Sequence, residues 1–195
     1  MSDLTILRVQ RELKPKIEDV LPFYLDGEEL KTALDFVAYL RTNKMSPTWA
    51  GVHNSWTYSY KGKGLYNIML RATNILFVHY DEGKKWFIEP YLRNLSKYDD
   101  KILNAELQSY LWDNVSHCRN FLMGGCNYHS CAPGMSKTIV GKEFNNICSA
   151  HARVGRRVMV AYDPSKATID CIKKLLEFER EARLDEHKWR THQCQ

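Results

Sequence analysis

Four of the six cysteines lie in one turn-rich stretch that also holds two histidines. The stretch contains the thiols Cys118, Cys126, Cys131 and Cys148 and the imidazoles His117 and His129. Thiolate and imidazole are the ligands that zinc prefers, and a structural site needs four of them converging from turns. The cysteine spacing lacks a paired C-x2-C knuckle. The sequence therefore predicts a Cys-rich loop over 117–148 as a candidate structural zinc site.

Two other interpretations of these cysteines stay open. Free cysteine behaves as a small hydrophobic residue that is commonly buried and inert. A thiol redox role instead requires a pKa lowered by a nearby cation or a helix N-terminus, and Cys118 has His117 and Arg119 as its sequence neighbours. The spacing matches neither ferredoxin pattern, so it does not indicate an iron–sulfur cluster.

Aromatic residues offer a second candidate site, for a small molecule. Trp56, Tyr58 and Tyr60 alternate along a predicted strand and therefore lie on one side of it. With side chains from neighbouring strands they could line an apolar pocket with hydroxyls that orient a ligand. The full set is Trp56, Tyr58, Tyr60, Tyr66, Phe77 and His79. The competing interpretation is that these aromatics pair across strands and fill the core under a helix.

Signatures of catalysis are missing from the sequence. It has no G-x-S-x-G, no H-E-x-x-H and no G-x-G-x-x-G. The best basic patch, His151 with Arg153, Arg156 and Arg157, is more typical of a solvated loop than of a phosphate-backbone contact, so a nucleic-acid partner is not predicted. The leading hypothesis is a non-enzymatic binding protein, with a small-molecule module as the alternative.

Composition and charge are those of a folded globular protein. The chain has 195 residues, 44% hydrophobic and 26% charged, which predicts a single domain over 1–195. No apolar run approaches the roughly 18 residues of a membrane span, and the opening 1–16 lacks the apolar stretch of a signal peptide. We therefore expect a cytoplasmic protein without a membrane partner, in which disulfides are disfavoured.

The periodicity of apolar residues predicts a two-layer α+β fold. Helices are expected at 26–40, 99–112 and 164–185, and an antiparallel meander over 56–92, including a strand at 74–80. Further strands of the same sheet are expected near 138–142 and 158–162. Residues 1–25 should hold a short edge element and a loop, and 186–195 a frayed tail.

Local signals refine the helix boundaries. Asp26 and Glu29 have the form of a capping box, and Asp163 followed by Pro164 is typical of a helix start. Apolar residues at helical spacing should form the buried stripes of the three helices. They are Leu30, Leu34, Val37 and Leu40 in the first, Leu103, Leu107 and Tyr110/Leu111 in the second, and Ile169, Ile172 and Leu175/Leu176 in the third.

The run GGCNYHSCAPGMSKTIVGKEFNNIC, followed by a terminal helix with Asp-Pro at its start, resembles a pattern in small bacterial proteins without an assigned activity. The helix and meander over 26–92 are similar to small α+β domains of unknown function. This resemblance implies an α+β fold and carries no functional residues with it.

Overall fold

The structure is a computed structural model. It describes residues 9–50, 54–60, 63–70, 84–117, 135–147 and 158–193, with the backbone alone over 46–47, 63–70, 135 and 186–193. Helices and small antiparallel sheets are both present, so the chain is of the α+β class. Within the described ranges no helix is long and apolar enough to cross a membrane.

Residue contacts divide the chain into two compact units. The first comprises Met1–Glu89 and Ala161–Ile169, and the second comprises Pro90–Val160 and Asp170–Gln195. The stacking of a sheet and a helical layer stays a prediction.

Helical segments open the described part of the first unit. Residues 9–13 are helical (α1), α2 covers Ile17–Val20, and a 3-10 helix follows at Leu21–Phe23. The expectation of an edge element and loop over 1–25 is therefore wrong for the part of this range that the structure describes. Pro15 precedes α2 and Pro22 sits in the first turn of the 3-10 helix, where no amide donor is needed. The prolines thus mark helix starts.

Helix α3 spans Gly27–Thr42 and fills the core of the first unit with one face. Its buried residues are Ala33, Phe36, Val37 and Leu40. The predicted stripe is shifted, because Leu30 and Leu34 are only half-buried.

The capping box predicted at the start of α3 does not form. Asp26 makes no side-chain cap, and the Glu29 carboxylate instead accepts a hydrogen bond from Lys85 Nζ at 2.6 Å. A partner far along the chain therefore takes the carboxylate that the local pattern assigned to the helix end.

The main sheet contains strands from the predicted meander region and two further strands. It comprises β1 (Ser46–Trp49), β2 (Ser55–Tyr60), β3 (Lys63–Leu70), β4 (Trp86–Pro90) and β7 (Ala161–Tyr162) in the order β1-β2-β3-β4-β7. The β1/β2, β2/β3 and β4/β7 pairs are antiparallel. The strand expected at 74–80 lies outside the described residues.

The second unit begins with a 3-10 helix (Leu95–Lys97), α4 (Asp99–Asn104) and α5 (Gln108–Asp113). The expected single helix over 99–112 is wrong, because Glu106 adopts φ 55°. Glu106 N donates to Leu103 O and Leu107 N donates to Ile102 O, both at 3.0 Å. These two bonds define a Schellman motif, which ends α4.

The buried face of α4 and α5 consequently differs from the prediction. Ile102, Leu107 and Leu111 are buried, whereas Leu103 and Tyr110 are exposed.

A separate hairpin of β5 (Met135–Ile139) and β6 (Lys142–Ile147) replaces the strand expected at 138–142. Val140 and Gly141 form its turn with φ of 47° and 76°. Two successive positive φ angles are the geometry of a type I′ turn, which suits a two-residue hairpin. The residues expected to extend the main sheet therefore reverse the chain.

Helix α6 covers Lys166–Gln193, so its backbone continues past the expected end at 185. Ser165 Oγ accepts a hydrogen bond from Thr168 N at 3.2 Å and is the N-cap. The predicted stripe is confirmed. The buried residues at these positions are Ile169, Ile172, Leu175 and Leu176.

Asp163 does not cap α6. Its Oδ1 accepts hydrogen bonds from the backbone of Lys85 at 2.8 Å and of Trp86 at 3.1 Å. The carboxylate thus fixes the entry to β4 within the first unit.

Candidate functional site

The base of the Cys-rich loop is a point where three segments of chain meet. Ile147 forms an antiparallel bridge with His117 and also pairs with Met135 at the start of β5. The chain enters 118–134 from His117 and leaves it at Met135. His117 and Met135, which flank 118–134 in the sequence, therefore both lie beside one residue of β6. Cys118, Cys126, His129, Cys131 and Cys148 lie outside the described residues.

A β-bulge shapes the strand that carries this base. Met135 faces Ile147 but Lys137 faces Phe144, so β6 has one extra residue over this interval. Asn146 takes up the irregularity at φ 62°, a conformation that Asn tolerates better than most residues. Phe144 and Ile147 are consequently both buried although they are three positions apart.

His117 is exposed, and its ring is oriented by the hairpin. Its Nδ1 lies 3.2 Å from the backbone oxygen of Asn145. A carbonyl oxygen only accepts, so Nδ1 carries the proton of the neutral ring and Nε2 keeps its lone pair. Metal-bound histidines commonly donate their second ring nitrogen to a carbonyl in this way. The geometry leaves Nε2 able to bind a metal ion.

Secondary contacts stabilise this arrangement. Ser136 Oγ donates to Asn145 Oδ1 at 2.5 Å, and the His117 and Phe144 rings lie 6.3 Å apart between centroids. Over the described ranges, no group of three or more His, Cys, Asp or Glu side chains is placed to hold a metal ion. Of the six predicted ligands, only His117 lies within the described ranges.

The environment of Cys171 argues against a redox role for this residue. The side chain is buried on α6, and burial, opposed by the Lys174 charge, raises the pKa of its thiol to about 11. A thiol with this pKa is protonated at neutral pH and is a poor nucleophile. A redox role would therefore fall to cysteines outside the described residues.

The structure places part of the aromatic set in the core of the first unit. Trp56 and Tyr58 are 1% and 0% exposed, and Trp56 Nε1 donates to Pro15 O at 3.0 Å. Burial, with the Glu18 charge second, raises the pKa of Tyr58 well above its ordinary value. Tyr60 is half-buried. The side chains of Tyr66, Phe77 and His79 lie outside the description, so a pocket on this face stays a prediction.

Sequence reasoning missed a buried polar cluster in the second unit, centred on Glu179. This carboxylate accepts hydrogen bonds from Asn94 N at 3.0 Å, Tyr98 Oη at 2.9 Å and Arg183 Nε at 2.5 Å. The i,i+4 spacing of Glu179 and Arg183 was the available signal. Because both carboxylate oxygens have donors, the cluster stabilises the fold and leaves no acceptor for a ligand.

Comparison with models of protein families, with curated proteins and with solved structures finds no match for this chain. No activity, ligand or partner therefore comes to it from a relative.

Proposed function

We propose that this chain is a non-enzymatic binding protein of the cytoplasm whose loop over 117–148 is held by a structural zinc ion. The proposed thiolate ligands are Cys118, Cys126, Cys131 and Cys148, with His117 and His129 as the imidazole candidates. The observation that supports this is that His117 and Met135, the residues on either side of 118–134, both pair with Ile147.

Chain connectivity links two of the proposed ligands to that meeting point. Cys118 directly follows His117 and Cys148 directly follows Ile147, and successive Cα atoms are about 3.8 Å apart. These two cysteines are therefore attached to the two halves of one β-bridge. A bridge that already closes the loop reduces the entropy that metal binding would have to offset.

The orientation of His117 adds a second line of support. With Nδ1 directed at Asn145 O, the ring presents Nε2 without the need to rearrange a hydrogen bond. A reducing compartment suits the proposal, because it keeps thiols available as metal ligands and disfavours disulfides.

The alternative, a small-molecule module that uses the aromatic sheet face, ranks second. Trp56 and Tyr58 are buried, so a ligand that contacts them must displace packing of the first unit. That displacement would cost the apolar burial of two large side chains.

Elemental analysis of tag-free protein tests the proposal. We expect close to one zinc per chain, and its loss in Cys126→Ser and Cys131→Ser together with a lower melting temperature. Cys171→Ala is the matched control. It removes a buried thiol of α6, outside the proposed zinc loop, and should keep the metal content of the parent protein.

Metal-free protein whose melting temperature is unchanged in both serine variants would overturn the proposal. If the variants do not fold, chelator is titrated into the parent protein. Zinc release with a fall in melting temperature then supports the proposal, and a flat response to the chelator contradicts it.

A further inference from the structure

One ammonium group of the second unit lies between two aromatic rings. Lys142 Nζ is 5.1 Å from the centroid of the Trp112 ring and 5.2 Å from that of the Phe144 ring. Both distances are inside the limit of about 6 Å for a cation–π interaction. Trp112 and Phe144 therefore form two walls of one cation site.

The walls are held by contacts that do not involve Lys142. Trp112 Nε1 donates to Ile139 O at 2.9 Å, which fixes the indole against the hairpin. Phe144 is 8% exposed and packs against the His117 ring. Lys142 by contrast is exposed. The rings should thus keep their places when the lysine side chain leaves.

Lys101, which forms a second cation–π pair in the same unit, has different partners from Lys142. Lys101 Nζ lies 5.7 Å from one ring, that of Phe178, and is also paired with the Glu181 carboxylate at 2.7 Å. Among the described side chains no carboxylate lies within 4.0 Å of Lys142 Nζ. The rings, and not an ion pair, are the partners of Lys142.

We propose that Trp112 and Phe144 form a binding site for a methylated organic ammonium ion, which Lys142 occupies in the free protein. The primary ammonium of lysine is strongly hydrated, whereas a quaternary ammonium has no N–H groups to desolvate and binds well between aromatic faces. Lys142 is then an intramolecular competitor that sets the affinity. The site contains none of the proposed zinc ligands, although the Phe144 ring packs against that of His117.

One charge that opposes a cationic ligand is that of Lys137, which pairs across the hairpin with Phe144. The same lysine lowers the pKa of Asp99, whose net shift is upward because of burial and the Asp100 charge. The charges of Asp99 and Lys137 therefore attract each other.

Titration of the full chain with tetramethylammonium chloride tests the site. The readout is the chemical shift of the Trp112 indole N–H, assigned by comparison with Trp112→Phe. We expect Lys142→Ala to bind at least about threefold more tightly than the parent, because a competing cation–π contact is gone. Lys142→Arg should behave like the parent, since guanidinium also stacks on aromatic rings.

Lys101→Ala is the matched control, because it vacates a single ring and should leave the affinity unchanged. Sodium chloride at equal ionic strength should leave the Trp112 signal in place. A peptide with trimethyllysine is titrated in parallel. Equal affinity for the two probes would indicate that the natural ligand is a free small molecule. A higher affinity for the peptide would indicate a methylated segment of a protein.

A folded Lys142→Ala whose Trp112 signal does not respond to tetramethylammonium would overturn the proposal. Equal binding by Lys142→Ala and by Lys142→Ala combined with Phe144→Leu, both followed at the Trp112 indole N–H, would overturn it as well, since the Phe144 ring would then be dispensable. If Lys142→Ala does not fold, Lys142→Met keeps the aliphatic stem without the charge, and the same two outcomes apply to it.

Discussion

Arg183 Nε donates to Glu179 Oε1 at 2.5 Å across one turn of α6, with Glu179 0% and Arg183 9% exposed. The Arg183 Nη2 group also donates to Tyr91 O at 2.9 Å. A buried carboxylate of this kind depends on its cation, because removal of one partner leaves a charge without compensation in a medium of low polarity.

Arg183→Met should therefore lower the free energy of unfolding by about 3–5 kcal/mol, measured by urea denaturation at neutral pH. Lys101→Met is the control. It breaks the exposed pair between Lys101 and Glu181 and should cost less than about 1 kcal/mol. Similar losses in the two variants would show that burial does not set the importance of the Glu179 pair.

Tyr98 supplies another donor to the same carboxylate, at 2.9 Å from Glu179 Oε2. Tyr98→Phe should cost about 1–3 kcal/mol of stability, because the acceptor stays buried when the hydroxyl is lost. A double-mutant cycle with Glu179→Gln should give a coupling energy above about 0.5 kcal/mol.

The matched control for that cycle replaces Tyr24, whose hydroxyl accepts from Asn54 Nδ2 at 2.6 Å in a different network. Tyr24→Phe and Glu179→Gln share no partner and should be additive. Additivity of Tyr98→Phe with Glu179→Gln would contradict the assignment of the hydrogen bond.

A pH-dependent contribution to stability should come from Glu18. Its carboxylate accepts hydrogen bonds from Arg41 Nε and from Arg41 Nη2, the latter at 2.9 Å. Hydrogen bonding to Arg41, opposed by partial burial, lowers the pKa of Glu18 below its ordinary 4.5. A folded-state pKa below the unfolded value adds stability above the unfolded pKa, and this stability is lost as the pH falls through the folded one.

Urea denaturation of parent and Arg41→Met at several pH values checks this. The parent should be more stable at neutral pH, and the difference should shrink as the pH falls below 4.5. Glu18→Gln, which removes the titrating group, should remove the same pH-dependent part. A difference between parent and Arg41→Met that stays constant down to the acid limit would refute the linkage.

Local periodicity was sufficient for some elements and not for others. The buried stripe of α6 at Ile169, Ile172 and Leu175 follows from the 3.6-residue repeat alone, and the alternation at Trp56 and Tyr58 correctly indicated β2. The capping box at Asp26 was wrongly predicted, and the Glu29 carboxylate pairs instead with Lys85, far along the chain. Such non-local partners leave no local pattern.

The candidate site was likewise only partly accessible to prediction from the sequence. The residue types of 117–148 predict a metal site, which stays a prediction, and His117 is the one proposed ligand within the described residues. The pairing of Ile147 with both His117 and Met135 could not be predicted, because strand partners depend on tertiary packing more than on local composition. The bulge at Asn146 was hidden for a similar reason, since it interrupts the period of two on which a strand prediction rests.

The end of α4 was missed because a charged residue stands at the position that glycine usually takes, whereas the expected end of α3 at residue 40 lies two residues before Thr42. Lys44 follows α3 at φ 58° and Glu106 follows α4 at φ 55°. Met45 N donates to Leu40 O and Lys44 N to Arg41 O, both at 3.0 Å, which is the Schellman pattern also found after α4. Without a glycine at position 106, the sequence carried no stop signal for α4.

Lys44→Gly and Glu106→Gly should therefore each stabilise the protein, by about 0.5–1 kcal/mol, since glycine adopts positive φ without steric cost. Thermal or urea denaturation measures the gain. Lys31→Gly, an exposed position inside α3, is the control and should destabilise by about 1 kcal/mol. Loss of stability in all three variants would mean that the entropy of glycine in the unfolded chain outweighs relief of the left-handed backbone, and that Lys44 and Glu106 bear little strain.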